Sequence, residues 1–437
     1  MHQHKRNAKF VLGTIVVLVF IFTIYRSGRS STAPITVMDM KLEQEAFSTD
    51  DETSENPSLT SPVSSQDALE EEELRVKQEI INERKKSKYD KFGYDTVQGS
   101  MVASFANFGY RPNAVLIQFI SNADLNDVIA SLKSVENKFN KWYNYPWLFV
   151  SVTGEEFDDL EFMEEVKSIT NDNISFEIVN DDWFWSYPDW IDMNKISDSR
   201  VKLSEFPNGD SNWFRHYSRY FTGFFYQEPY MRGYDWYWKI EPGMELLCDL
   251  DIDLFRWMQD NEVAFSFIAS FKESKELVEN LGQTVKKFVE KFPDYVDSNN
   301  FIKFLCNDND CNNFNLCQFD ENFQIANLNF FRSKTFEEFF RFLDVNGGIY
   351  YNRWSTGAIQ TVAASLFLPK KQIKFFDYMG YAEKDSKFYN CPTDNDLWKN
   401  YNCDCDPGLD FTFHKDSCTA KYYDIMDIKK PDNWDKH

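Results

Sequence analysis

Tyr234-Asp235-Trp236-Tyr237-Trp238-Lys239-Ile240-Glu241-Pro242-Gly243 is the stretch on which the reading of the fold turns. Its aromatic residues recur at period two, the pattern of a strand buried on at least one face. Pro242-Gly243 cannot continue that strand, so Glu241 is delivered into a turn. Cys248-Asp249-Leu250-Asp251-Ile252-Asp253 follows, with aspartates at alternate positions. A carboxylate at the end of a buried strand, with aspartates after it, suits a hard cation held by oxygen ligands. Such a cation would hold a diphosphate. An aromatic core strand followed by a solvated acidic loop is the competing reading, and the local pattern leaves both open.

Upstream, Ala114–Ile120 (AVLIQFI) reads as a short buried strand and Ala123–Phe139 as an amphipathic helix. Trp147–Val152 and Ile174–Val179 read as further strands. Strand, helix, strand at this spacing predicts a doubly wound α/β unit. The chain has no Gly-x-Gly-x-x-Gly and no Walker loop, so phosphate binding must be arranged otherwise. Arg215 and Arg219 are four apart and share one face of a helix. They read either as a phosphate clamp or as a surface ion-pairing couple. Around them, Trp183-Phe184-Trp185-Ser186-Tyr187-Pro188-Asp189-Trp190 supplies aromatics for the core, some of which could be platforms for sugar rings.

The chain has 437 residues, room for one large domain or two ordinary ones plus appendages. Its formal charge of −23 argues against a nucleic-acid partner, which needs a basic face. An acidic surface also repels a nucleotide diphosphate, so that ligand needs a local cation or Arg/Lys cluster. After the first ten residues the only histidines are His216, His414 and His437, too few for a histidine-rich zinc site or a broad choice of Ser-His-Asp triads. Carboxylates, tyrosines and arginines abound. The inventory favours carboxylate-bound Mn²⁺, Mg²⁺ or Ca²⁺ and transfer from a phosphate-activated donor.

All eight cysteines lie in the second half, from Cys248 to Cys418. Cys403-Asp404-Cys405 is too tight for zinc-type Cys-x-x-Cys spacing, and an even count fits disulfides in an oxidising compartment. We expect four disulfides of unresolved connectivity. The N-terminus agrees with such a compartment. Residues 1–9 carry Lys5, Arg6 and Lys9, and 10–25 (FVLGTIVVLVFIFTIY) are an unbroken apolar or neutral run. This is read as a signal anchor with a cytosolic tail and a lumenal remainder, the rival being a cleaved signal peptide. Residues 26–92 read as a lumenal stem, disordered first and helical over 66–91, and 93–437 as the globular domain. Asn173-Ile174-Ser175 is a glycosylation sequon, while the proline of Asn56-Pro57-Ser58 blocks the other.

The opening stretch and the acidic loop together resemble the signature of the fungal α-1,2-mannosyltransferases, glycosyltransferase family 15. Further blocks resemble the family in the same order. Among them are Tyr187-Pro188-Asp189-Trp190-Ile191-Asp192, Arg219-Tyr220-Phe221-Thr222-Gly223, Asn322-Phe323-Gln324-Ile325-Ala326 and Asn402-Cys403-Asp404-Cys405-Asp406. The resemblance runs over about residues 110–435. It implies a GT-A-like nucleotide-sugar transferase domain, a Rossmann-like mixed sheet flanked by helices, behind a type II Golgi anchor. It further implies retaining transfer of mannose from GDP-mannose to mannoside acceptors on glycoprotein glycans, with Mn²⁺ (or Mg²⁺). Glu241 matches the glutamate that binds the metal, Asp249 and Asp251 fall in the matching acidic loop, and the strand and turn through Asn122 would lie under the guanosine.

Departures from the family pattern fall on the sugar side. The family's proposed nucleophile, a glutamate, is Gln324 here, and an amide cannot be an anionic nucleophile. A metal-binding histidine is replaced by Glu383, still a sound ligand for Mn²⁺ or Mg²⁺. A tyrosine near the sugar is Phe214, and an aspartate of a Trp-Gly-Asp-Ala-Pro block is Thr356. Asn137-Lys138-Phe139-Asn140 and Tyr423-Asp424-Ile425-Met426 resemble the branch linked to mannosylphosphate transfer, where attack at phosphorus needs no anomeric nucleophile. Three readings follow: a divergent active mannosyltransferase, a mannosylphosphate transferase on the same scaffold, or a catalytically impaired lumenal partner of glycans or sister transferases.

Overall fold

The computed structural model describes residues 110–120, 125–153, 157, 159–307, 314–384, 386–432 and 434–436. Contacts divide the chain into Met1–Ser65 and Gln66–His437. The expected anchor, the stem and Asn122 all lie outside the described residues. Among the described residues no helix is long and apolar enough to cross a membrane.

A seven-stranded sheet forms the frame, in the order β10-β6-β9-β4-β1-β2-β3. Its strands are β1 (Ala114–Ile120), β2 (Trp147–Ser151), β3 (Ile174–Ile178), β4 (Trp236–Lys239), β6 (Phe265–Phe267), β9 (Gln324–Asn327) and β10 (Ile373–Phe375). The three strands expected before Arg215 are present within a residue of their predicted ends and pair in parallel. β4 lies parallel to β1 on the other side. Only β9 runs antiparallel to its neighbours β4 and β6. A second sheet joins β5 (Met244–Leu246), β11 (Tyr381–Glu383) and β12 (Tyr389–Asn390), and β7 (Ser270–Lys272) pairs with β8 (Cys317–Phe319).

Alternation along β4 explains its aromatic richness, because both faces of the strand are covered. Trp236 and Trp238 enter one core cluster with Leu116, Phe149 and helices α1 (Leu125–Val135) and α2 (Leu160–Ile169). Tyr237 points to the other, built with α4 (Asn212–Gly223), α7 (Lys334–Asn346) and α8 (Thr356–Phe367). The remaining helices named here are α3 (Met193–Leu203), α5 (Leu254–Asp260), α6 (Leu281–Lys291) and α9 (Thr419–Met426). Trp236 and Trp238 are essentially inaccessible to solvent, and truncating either to alanine costs about 3–5 kcal/mol.

The helix expected over 123–139 is α helical only to Val135, then widens into a π-helical turn over Glu136–Asn140. Asn140 is buried, accepts from Tyr145 N at 2.7 Å and donates to Glu136 Oε1 at 2.6 Å, which also takes the Trp147 indole N–H. Side-chain bonding of this kind diverts the backbone from regular helix. Cysteine usage is as expected. Cys248–Cys403, Cys317–Cys418 and Cys391–Cys405 are disulfides, Cys306 is also disulfide-bonded, and no described cysteine is free. Cys311 lies outside the described residues.

Candidate active site

Parallel neighbours β1 and β4 diverge in connectivity: β1 leads to β2 on one side, and β4 continues the sheet on the other. Ligands of open α/β sheets bind at such a switch point, outside the carboxyl ends of the strands. The turn after β4 places Glu241 there. Its backbone is clamped, since Glu241 O accepts from Ser131 Oγ at 3.2 Å and from Met244 N at 3.1 Å. Gly243 adopts φ +85°, which glycine tolerates, and its N–H donates to Ser131 Oγ at 2.7 Å. A methyl group there would meet Lys384 Cβ at 3.1 Å.

Lys239, two residues before, shares the face of Glu241. Its ammonium is 3.0 Å from Glu241 Oε2 and donates to the backbone carbonyl of Glu321 at 2.9 Å. Burial opposes this charge, but Glu241, Tyr217 and Glu321 outweigh it and hold the lysine protonated well above its usual range.

Glu383, at the end of β11, sits opposite Met244 in the antiparallel pairing with β5. Its carboxylate accepts from Tyr381 Oη at 2.6 Å and from Asn322 Nδ2 at 3.2 Å. Buried Asp320 adjoins it. Burial, the Glu383 charge and a hydrogen bond to Glu383 push the Asp320 carboxyl far up, so Asp320 carries the proton between them. The charges of Glu383, Asp320 and Glu241 all act on the Tyr381 hydroxyl, which brings these three acids into one neighbourhood.

Glu321 completes the group. Its Oε2 accepts from Gly357 N at 2.7 Å, and burial raises its carboxyl against the opposing pull of Lys239, the Gly357 N–H and Arg353. Arg353 stands at φ +59° with its guanidinium 4.1 Å from the centre of the Phe214 ring. Asp320, Glu321, Lys239 and Arg353 were not among the residues singled out from sequence. Adjacent acids directly before Asn322-Phe323-Gln324 were the available signal, and in isolation they read as a solvated turn.

Several sequence-based expectations need correction. Arg215 and Arg219 share a helix face, but neither is at the surface. Arg215 is spent on the carbonyls of Tyr350, Ser211 and Gly209 at 2.8–3.0 Å. Arg219 forms a two-point bond with Asp344 at 2.8 and 3.0 Å and packs over Trp183. Both are core struts, not a phosphate clamp, because the helix turns its arginines inward against α7 and the turn before Arg353. Asp249 pairs with Lys138 at 3.0 Å and accepts from Asn402, which lowers its carboxyl despite the opposing effect of burial. Asp251 is exposed, and Asp253 caps α5. None of the three is tied to Glu241. Gln324 is 2% exposed: its Oε1 accepts from the Tyr237 hydroxyl and its Nε2 donates to Gln360 at 2.6 Å. Thr356 is equally buried, bonded to Thr222 Oγ1 at 3.0 Å. Phe214 is half-buried under Arg353.

The acids fit a divalent ion as an open site. Asp320 Oδ2 is buried without a donor from another residue. Among the described residues the only three potential ligand atoms within 4.8 Å of one another are the sulfurs of Cys248, Cys403 and Cys405, all locked in disulfides. Glu241 and Glu383 therefore suit an ion that takes the rest of its shell from phosphate and water, the habit of Mg²⁺-type sites. A cavity of about 640 Å³, lined by Lys195, Lys287, Tyr351 and Asn352 among others, includes none of these acids.

This mixed α/β sheet, with carboxylates at its switch point, is a glycosyltransferase fold shared with solved fungal mannosyltransferases. Residues 64–427 match the family model for glycolipid 2-alpha-mannosyltransferase, and the chain belongs to that family as an enzyme that transfers mannose. It is 40% identical over 387 residues to mannosyltransferase KTR6 of Saccharomyces cerevisiae, covering 84% of this chain and 85% of that one. Identity to the glycolipid 2-alpha-mannosyltransferase of the same yeast is 36%, over 99% and 98% of the two chains. The crystal structure of core-mannan synthase A from Aspergillus fumigatus, in a Mn/GDP form, superposes with a TM-score of 0.66 at 28% identity, covering 76% of this chain and 90% of that one.

Proposed function

We propose that this chain is a Golgi type II membrane enzyme that transfers mannose from GDP-mannose to mannoside ends of glycoprotein glycans, as a retaining α-1,2-mannosyltransferase. The observation that carries the reading is that Glu241, in the turn after β4, and Glu383, opposite Met244, both act on the Tyr381 hydroxyl. Mn²⁺ or Mg²⁺ would be held by these two carboxylates and would supply positive charge to the leaving diphosphate. Lys239 fixes Glu241 and adds a permanent charge beside it. The relative solved with Mn and GDP supports this donor and metal. Incubating the detergent-solubilised full chain with GDP-mannose, Mn²⁺ and an α-mannobiose acceptor tests it. A trisaccharide with a new α-1,2 bond is expected, and no transfer to any mannoside would overturn the reading.

Transfer of mannosylphosphate is the second reading, favoured by the neutral, buried and doubly bonded side chain of Gln324. Attack at phosphorus asks nothing of that position. The same incubation separates the two, since the product then carries phosphate. Intact GDP binding without either product would leave a lumenal partner of glycans or of sister transferases.

A further inference from the structure

Gln324 is sequestered, so the carboxylate expected to face the sugar has to be sought elsewhere. Three contacts converge on Glu321. Its Oε2 is tied at 2.7 Å to Gly357 N, the residue after Thr356. Arg353, stacked at 4.1 Å on Phe214, is a charge neighbour of Glu321. Glu321 also stands three residues before Gln324, and its carbonyl receives the ammonium that holds Glu241. Phe214, Gln324 and Thr356, the positions at which the chain departs from its family, are thus each linked to this one partly exposed acid by a neighbour: Phe214 through Arg353, Thr356 through Gly357, and Gln324 along the chain. Among the described residues only Gly357 N donates to the carboxylate, which leaves Oε1 for a ligand. Through Oε2 it satisfies one of the N–H groups left open at the start of α8, Ser355 Oγ taking another from Ala358 N at 3.2 Å.

We propose that Glu321 is the catalytic carboxylate that faces the transferred mannose in this chain, in place of the amide at position 324. The inference rests on the mannosyl-transfer reading above. In the step, the acceptor hydroxyl oxygen bonds to the anomeric carbon as the bond from that carbon to the β-phosphate oxygen breaks. The electron pair leaves with GDP, and the hydroxyl proton passes to the departing phosphate oxygen. Glu321 neither gains nor loses a bond; its negative charge stabilises the positive charge that develops on the mannose ring. Lys239 and Arg353, ion-paired with Glu241 and Glu273, add positive charge near it.

Glu321→Gln tests the assignment, since it keeps size and can still accept from Gly357 N. With the full chain, GDP-mannose and α-mannobiose, kcat is expected to fall about 100-fold. KM for GDP-mannose, the Kd for GDP and Tm stay unchanged. Glu321→Ala is expected to recover part of its turnover when formate is added, which a purely structural role would not allow. Wild-type kcat in Glu321→Gln would overturn the inference. So would a loss matched by weaker GDP binding and a lower Tm, with no formate rescue in Glu321→Ala. An inactive wild type overturns the underlying reading instead, so the two failures are distinguishable.

Discussion

The ammonium of Lys239 lies 3.0 Å from the carboxylate of Glu241, two residues along the same strand edge. Lysine is 3% exposed in its side chain and glutamate 38%, so the pair spans the boundary between core and cleft. Replacing Lys239 by methionine keeps the buried stem but leaves Glu241 and the Glu321 carbonyl without a donor. Because Glu241 is partly solvated, the stability cost is a discounted one, about 1–2 kcal/mol, read by urea unfolding. Affinity for GDP should fall alongside.

Metal dependence follows from the open carboxylate pair. Chelation should abolish transfer, with Mn²⁺ restoring it. Glu241→Ala and Glu383→Ala should each lower kcat/KM by about 100-fold or more while far-UV dichroism stays unchanged. Activity in Glu241→Ala at the wild-type level would remove the carboxylates from the donor site.

His216 gives a pH signature. Burial, with Arg219 and Arg215 nearby, pushes its imidazole down to about 4. The folded state keeps it neutral, whereas the unfolded chain takes up a proton below about 6.5. Its contribution is therefore present above pH 6.5 and is lost as pH falls toward 4, by about 3 kcal/mol in full. His216→Gln should flatten that part of the curve of unfolding free energy against pH.

Gly243 tests how the turn aims Glu241. Alanine there must adopt φ +85° with its methyl 3.1 Å from Lys384 Cβ. A loss of about 1–2 kcal/mol is expected, with a larger proportional fall in kcat than in KM for the acceptor. Calorimetry and steady-state kinetics on the same sample check both.

Much of the proposed donor end of the site was legible in sequence. Glu241 could be placed because Trp236 and Trp238 announce a buried strand and Pro242-Gly243 announce its end, both local signals. Glu383 came only through resemblance, since its neighbourhood is made by pairing with β5. Arg215 and Arg219 were misread because spacing along a helix gives a shared face but not its direction. That direction is fixed by Asp344 and by the carbonyl of Tyr350, more than a hundred residues away in sequence. Glu321 was invisible for the same reason: its setting is made by Gly357, Arg353 and Lys239, none adjacent to it in the chain.

The reversed direction of β9 has a consequence for how such a site can change. A parallel strand at that place would bring the residues following it to the cleft, on the way to a covering helix. Running backwards, β9 brings the residues that precede it, the short link from β8 through Asp320 and Glu321. The two halves of the cleft thus hang from chain segments of opposite polarity, one anchored by α1 and the other by the N-terminus of α8. On the proposed reading of the site, substitutions in the β8–β9 link would rewrite what meets the sugar while the grip on the nucleotide stays as it was, and that separability would let one scaffold diversify its transfer chemistry.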